Sequence, residues 1–86
     1  MYHKELDIYC GCISTNRPDN VKALEEKTGM KFTYYTRVNE SETYLKAGAS
    51  KVVEVDGNIC VARNQAIKDA QGKLCLQISD DYKKVN

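Results

Sequence analysis

The 86-residue chain has one histidine, one proline, one phenylalanine and no tryptophan. The lone histidine, His3, leaves no Ser-His-Asp or Cys-His arrangement for nucleophilic catalysis. It is expected in a mobile terminus with a surface role. No apolar stretch approaches the ~20 residues of a membrane-spanning helix. The start, Met1-Tyr2-His3-Lys4-Glu5, also lacks the apolar segment of a secretory signal, so a cytoplasmic protein without a membrane span is expected. There is no excess of either charge: 13 Lys and Arg stand against 12 Asp and Glu, a formal net charge of +1. That balance makes no electrostatic case for nucleic acid or an anionic membrane. The G-x-x-x-x-G-K-[ST] phosphate loop is missing, and Gly11 alone is no G-x-G-x-x-G. Without repeats, low-complexity tracts or linkers, the length fits one small domain with a modest core.

Four cysteines are present: Cys10, Cys12, Cys60 and Cys75, all within or beside apolar runs. Cys10-x-Cys12 points both thiols to one face of a strand. Zinc sites use wider pairs and turn geometry, so buried reduced thiols are expected. A disulfide framework suits neither the expected compartment nor the regular pattern of the chain.

That pattern alternates strand and helix. Asp7 to Ile13 has no polar face and reads as a central strand covered on both sides. Ser14-Thr15-Asn16-Arg17-Pro18 breaks it, and Pro18 suits a first helical turn. Val21, Leu24 and Thr28 recur at helical spacing, and Gly29 closes that helix. Lys31 to Val38, with its aromatic and β-branched residues, predicts a second strand. Glu42, three residues after Asn39, suggests a capping pattern for a short surface helix over about 40–47. Lys51 to Val55 predicts a third strand, and Glu54 gives it an edge-like character. After the Asp56-Gly57 turn, Ile59, Ala62, Ala66 and Ala70, widened by Ile67, form the stripe of the strongest helix, about 59–71. Leu74 to Ile78 is the fourth strand.

The order β-α-β-α-β-α-β implies a parallel sheet with right-handed crossovers. Ligands of such sheets bind beyond the carboxyl ends of the strands. Those ends are Ser14-Thr15-Asn16-Arg17, Arg37-Val38-Asn39, Asp56-Gly57-Asn58 and Ser79-Asp80-Asp81, all polar and able to converge on one rim. Arg63, in the first turns of the third helix, borders its buried face. It suits either phosphate oxygens, together with free backbone N–H groups, or an ion pair with Asp80 or Asp81. Asn64 suits either a ligand or support of the neighbouring loop. The adjacent acids Asp80 and Asp81 suit either a hard divalent cation or a helix cap or solvated turn.

Taken together, the segment Gly57 to Lys73, with Ala62-Arg63-Asn64 opening a helix and Ala70-Gln71-Gly72 ending it, and the acidic Ile78-Ser79-Asp80-Asp81 resemble the donor-binding half of GT-A fold glycosyltransferases. Ser14-Thr15-Asn16-Arg17-Pro18 is similar to the place where those enzymes begin to hold the nucleoside. Tyr44 to Ala49 looks similar to phage-type members. The resemblance implies a three-layer, Rossmann-like α/β half-domain: a four-stranded, mainly parallel sheet of order 3-2-1-4 with helices on both faces. It implies a nucleoside diphosphate-sugar, UDP-type favoured, across the rim. Ser14, Asn16 and Arg17 would approach the nucleoside, and Arg63 and Asn64 the sugar or diphosphate. Asp81, with Asp80, would hold Mn²⁺ or Mg²⁺ against the diphosphate. The motif departs from a strict D-x-D, and acceptor-binding and catalytic residues usually follow it in the family.

Residues 1–86 therefore read as a single nucleotide-sugar-binding domain, truncated at the C-terminus, with catalysis by this chain open and the acceptor unspecified. The alternatives are a non-catalytic nucleotide or nucleotide-sugar binding module and a protein-interaction αβ domain. In order 3-2-1-4 the apolar fourth strand is an edge, which invites pairing with a missing C-terminal half or self-association through residues 74–78.

Overall fold

Residues 1–15 and 17–79 are described by a computed structural model. The expectations placed on Asn16, Asp80 and Asp81 lie outside the described residues. The elements are β1 (Tyr2–His3), β2 (Ile8–Ile13), α1 (Asn20–Thr28), β3 (Thr33–Arg37), α2 (Ser41–Lys46), β4 (Lys51–Val55), α3 (Ile59–Asp69) and β5 (Leu74–Ser79).

β2 is the strand on which the others are built, because its side chains are wanted on both faces. Ile8, Cys10 and Cys12 turn toward α1 and α2, where they meet Val21, Leu24 and Tyr44. Tyr9 and Ile13 turn the other way, onto Ala62, Ala66 and Ala70 of α3. Period-two alternation in a strand with no polar face thus gives two cores and three layers. β3 repeats the device: Phe32 and Tyr34 join the first core and Tyr35 the second. Each large side chain so buried contributes about 1.5–3 kcal/mol. Both Cys10 and Cys12 are fully buried in the first core.

β2 pairs in parallel with β3 and with β5, and β3 pairs in parallel with β4. The sheet is nonetheless mixed and five-stranded, since β1 lies antiparallel to the start of β2 with Tyr2 opposite Tyr9. The expected four-stranded, mainly parallel sheet of order 3-2-1-4 is corrected accordingly: β1 enters the order beside β2. A two-residue strand is too short to show any periodicity. It is held by side-chain and terminal contacts instead, including the Tyr2 hydroxyl donating to Asp7 Oδ1 at 2.5 Å and the Met1 ammonium on the Cys10 carbonyl. His3, expected in a mobile terminus, lies within β1: it pairs with Ile8, and its Nε2 lies 2.7 Å from the Lys31 carbonyl oxygen.

The helices differ from expectation in their details. Gly29 closes α1 in the left-handed region (φ 67°), its N–H reaching the Glu25 carbonyl at 2.9 Å. The cap foreseen at Asn39 is not used. Glu40 is the N-cap of α2, without a side-chain cap bond, and Asn39 takes φ 73° in the preceding turn. In α3 the stripe narrows to Ala62, Ala66 and Ala70, while Ile59 and Ile67 stand exposed. Three alanines bring the helix close to the sheet, and the larger side chains are displaced to its flanks.

The two β3 tyrosines are tied off with hydrogen bonds on opposite sides of the sheet. Tyr34 donates to Glu25 at 2.9 Å. Tyr35 donates to Asp69 Oδ2 at 2.7 Å and its oxygen lies 2.6 Å from the Tyr9 hydroxyl, while Gln65 donates to Asp69 Oδ1 at 2.9 Å. Burial first, and then these bonds, push both phenols above their ordinary value. A raised folded-state pKa means that the stabilisation is complete below the unfolded value, ~10, and is lost as pH rises through the folded value. In an alkaline titration of the six tyrosines, Tyr34 and Tyr35 should form phenolate only as the chain unfolds. Smooth ionisation of all six with the circular dichroism unchanged would contradict this.

Candidate functional site

Because their pairings are parallel, β2, β3, β4 and β5 finish at the same end of the sheet, with Ile13 level with both Tyr35 and Ser79, and Arg37 level with Val55. The α3 N-terminus opens onto this end. Between them lies a hollow of about 230 Å³ whose wall includes Thr15, Thr36, Arg37, Gly57 and Asn58. A second hollow of about 100 Å³, formed by Ile13, Ile59, Arg63, Gln77 and Ile78, shares Ile13 and Ile59 with the first. Each has room for a ring rather than a whole nucleotide-sugar, for which sites of ~300–1,000 Å³ are usual.

Asn58 organises the start of α3. In an extended conformation (φ −90°, ψ −176°) it accepts from the Cys60 and Val61 N–H groups through Oδ1, at 3.0 and 3.2 Å. Two of the helix's first amides are thereby satisfied within the chain. The positive end of the helix still faces the rim, but these amides are not free for phosphate, contrary to the expectation that paired them with Arg63.

Arg63 itself is exposed at the second hollow. Its carbonyl oxygen accepts from Gln77 Nε2 at 3.1 Å, which ties α3 to β5. Asn64 is exposed and lines neither hollow. Ser14 is only 2% exposed and its hydroxyl lies 2.5 Å from that of Tyr44. The Arg17 N–H donates to the same Tyr44 oxygen at 3.0 Å. Tyr44, buried under α2, therefore anchors the loop that follows β2, and Thr15 rather than Ser14 lines the hollow. The Arg17 side chain is on the surface of that loop. The structure thus brings Thr15, Arg37, Asn58 and Arg63 to one rim, with the Ser14 hydroxyl beneath it.

Glu54 stands near this end but has a structural task. Hydrogen bonds from Ser41, side chain first and then backbone, hold its carboxyl below the usual range and link β4 to α2. Among the described residues no group of three or more His, Cys, Asp or Glu side chains could hold a metal. A larger hollow, about 420 Å³, lies at the opposite end of the sheet by Tyr9, Thr33, Lys51, Asp69 and Lys73. Its carboxylate is already engaged with Tyr35 and Gln65, and Lys73 pairs with Asp7 at 3.3 Å.

Comparison with protein-family models, with curated proteins and with solved structures finds no match to this chain.

Arg37 and Asn58 were legible only as members of polar strand ends, and Thr15 and Thr36 carry no local signal beyond position. That Ser14 is committed to Tyr44 depends on a contact across 30 residues of sequence.

Proposed function

We propose that this chain is the donor-binding half of a metal-dependent glycosyltransferase, a three-layer Rossmann-like unit that takes a nucleoside diphosphate-sugar, UDP-type favoured. The observation that supports it best is the pair of adjoining hollows at the carboxyl ends of four strands, one bordered by Arg37 and the other by Arg63. Two guanidiniums at the edges of ring-sized hollows suit a ligand with rings at either end of a diphosphate. Ile13 and Ile59 form the wall that the two hollows share, Asn58 and Gly57 line the first, and Thr15 supplies a hydroxyl on the side expected for the nucleoside. Ser14 and Arg17 position that side through Tyr44.

Asp80 and Asp81 directly follow β5, whose last residue Ser79 is level with Ile13 at the rim. Carboxylates are the donors that Mn²⁺ and Mg²⁺ prefer, so the residue types fit the cation. When bound it would neutralise charge on the leaving diphosphate. The chain's own part is to hold the donor, orient its diphosphate with arginine and exclude water from the hollows.

Calorimetry with UDP-, GDP- and CMP-type ligands, each with and without Mn²⁺, tests the reading. At least one ligand should bind more tightly with metal, and Asp81→Ala should abolish that difference. Arg63→Ala should weaken binding ~10–150-fold, as expected for a lost charge-assisted hydrogen bond of about 1.5–3 kcal/mol. Metal-dependent binding without transfer or hydrolysis would leave a binding module in place of an enzyme part. No binding to any of the panel would remove the nucleotide reading and favour a protein-interaction domain.

A further inference from the structure

We propose that two copies of this chain associate reversibly about a two-fold axis by antiparallel pairing of β5 with β5. The inference does not depend on the ligand assigned to the rim. All six residues of β5 are registered against β2 on one side, from Ile8 opposite Leu74 to Ile13 opposite Ser79. Among the described residues no strand lies on the other side.

The two edges of the sheet are treated differently. β4, at the far edge, exposes Lys51 and Glu54, the kind of charge that keeps an edge strand single. β5, Leu74-Cys75-Leu76-Gln77-Ile78-Ser79, has no charge and no proline. Apolar side chains flank it on both faces. Register with Ile8 and Cys10 places Leu74 and Leu76 on the α1/α2 face, where they are 71% and 40% exposed. On the opposite face Ile59, Arg63 and Ile67 follow one another at i, i+4 and i+8 along one flank of α3. Ile59 and Arg63 share a hollow with Gln77 and Ile78, so this flank overhangs β5. Ile59 is 52% and Ile67 57% exposed.

A second copy is the occupant that fits this edge. A two-fold axis perpendicular to the sheet pairs the strands antiparallel and keeps like faces together: leucines beside leucines, and one α3 flank beside the other. An axis along the strands would pair them parallel but set the leucines of one copy against the α3 side of its partner. Along β5 itself self-pairing puts no like charges opposite one another, and Arg63, the cation of the α3 flank, is exposed so that its charged end can stay in water.

Size sets the strength. Six residues make an edge ~20 Å long, and the smallest Cα extent of the molecule is 24 Å. The face is then on the order of 500 Å² per copy, or about 1,000 Å² in total, at the lower limit of specific interfaces. A weak, concentration-dependent dimer follows, rather than a permanent one.

Sedimentation from micromolar to millimolar protein tests this. The weight-average mass should rise from 9.7 kDa toward twice that value and level off. Hydrogen exchange of the 74–79 amides should slow as concentration rises. Leu76→Lys and Ile67→Glu alter exposed side chains on opposite faces, so each should fold normally by circular dichroism. Each should weaken dimerisation at least tenfold. A monomer throughout would overturn the proposal. So would a mass that climbs past the dimer, association that both variants leave intact, or protection gained away from β5 and the α3 flank beside it.

Discussion

Tyr35→Ala is expected to remove a large share of the chain's stability. The side chain is 1% exposed and sits in the core beneath α3. Removing a buried aromatic ring costs about 3–5 kcal/mol. The hydroxyl adds to this, because Tyr35 donates to Asp69 and lies against the Tyr9 hydroxyl. Stranding these groups costs about 1–3 kcal/mol more. Against this stands a total stability of roughly 4–13 kcal/mol for a chain of this length. Tyr35→Phe keeps the ring and should lose only the second contribution. Urea denaturation followed by circular dichroism distinguishes the two. A Tyr35→Ala midpoint matching the wild type would show that this layer is not the core.

Gly57→Ala is the second large effect, and it falls on the rim. Gly57 has φ 151°, a region nearly closed to residues with a side chain, and an added Cβ would lie 2.8 Å from Val61 Cγ2 and 3.0 Å from Val61 Cβ. Backbone strain of this kind costs about 1–3 kcal/mol. Relief requires Val61 or the first turn of α3 to move, which disturbs the Asn58 cap, itself worth about 1 kcal/mol. Gly48→Ala is the control: its φ is 107° but nothing lies within 4 Å of the added Cβ. Gly57→Ala should therefore lower the urea midpoint more than Gly48→Ala. Equal losses would mean that the Val61 contact is relieved without cost. Since Gly57 lines the rim hollow, its substitution should also weaken any ligand bound there, whereas Gly48→Ala should not.

These positions show how unevenly the molecule could be read in advance. The unbroken apolarity of Ile8–Ile13 announces a strand covered on both sides, since no polar side chain is available for a wet face. Gly29 announces the end of α1, because the left-handed conformation it takes is a property of a single residue. The alanines of α3 announce the packed face of a helix by spacing alone. The rim was legible to the same degree: parallel strands must end together, and the polar residues after them must gather there.

Other features needed partners distant in sequence. β1 is two residues long, and the His3 contact is with a carbonyl 28 residues away. Ile59 and Ile67 look like core residues by composition, but the closeness of Ala62, Ala66 and Ala70 to the sheet leaves them on the flank. Asn39 is a good cap by type, yet the turn places it at positive φ and hands the cap position to Glu40. Ser14 is a polar residue at a strand end, and Tyr44 engages its hydroxyl.

By itself the sequence determined the alternation of strands and helices, the side chains that β2 sends to each face and the end of the sheet where polar residues collect. These follow from period, steric preference and chain direction, which act locally. Only the tertiary structure decided that β1 joins the sheet, that Tyr44 holds the loop at the rim, that Asn58 occupies the amides opening α3, and that Leu74, Leu76, Ile59 and Ile67 flank one uncharged edge. Each depends on which surfaces meet in space, and packing sets that for the whole chain at once.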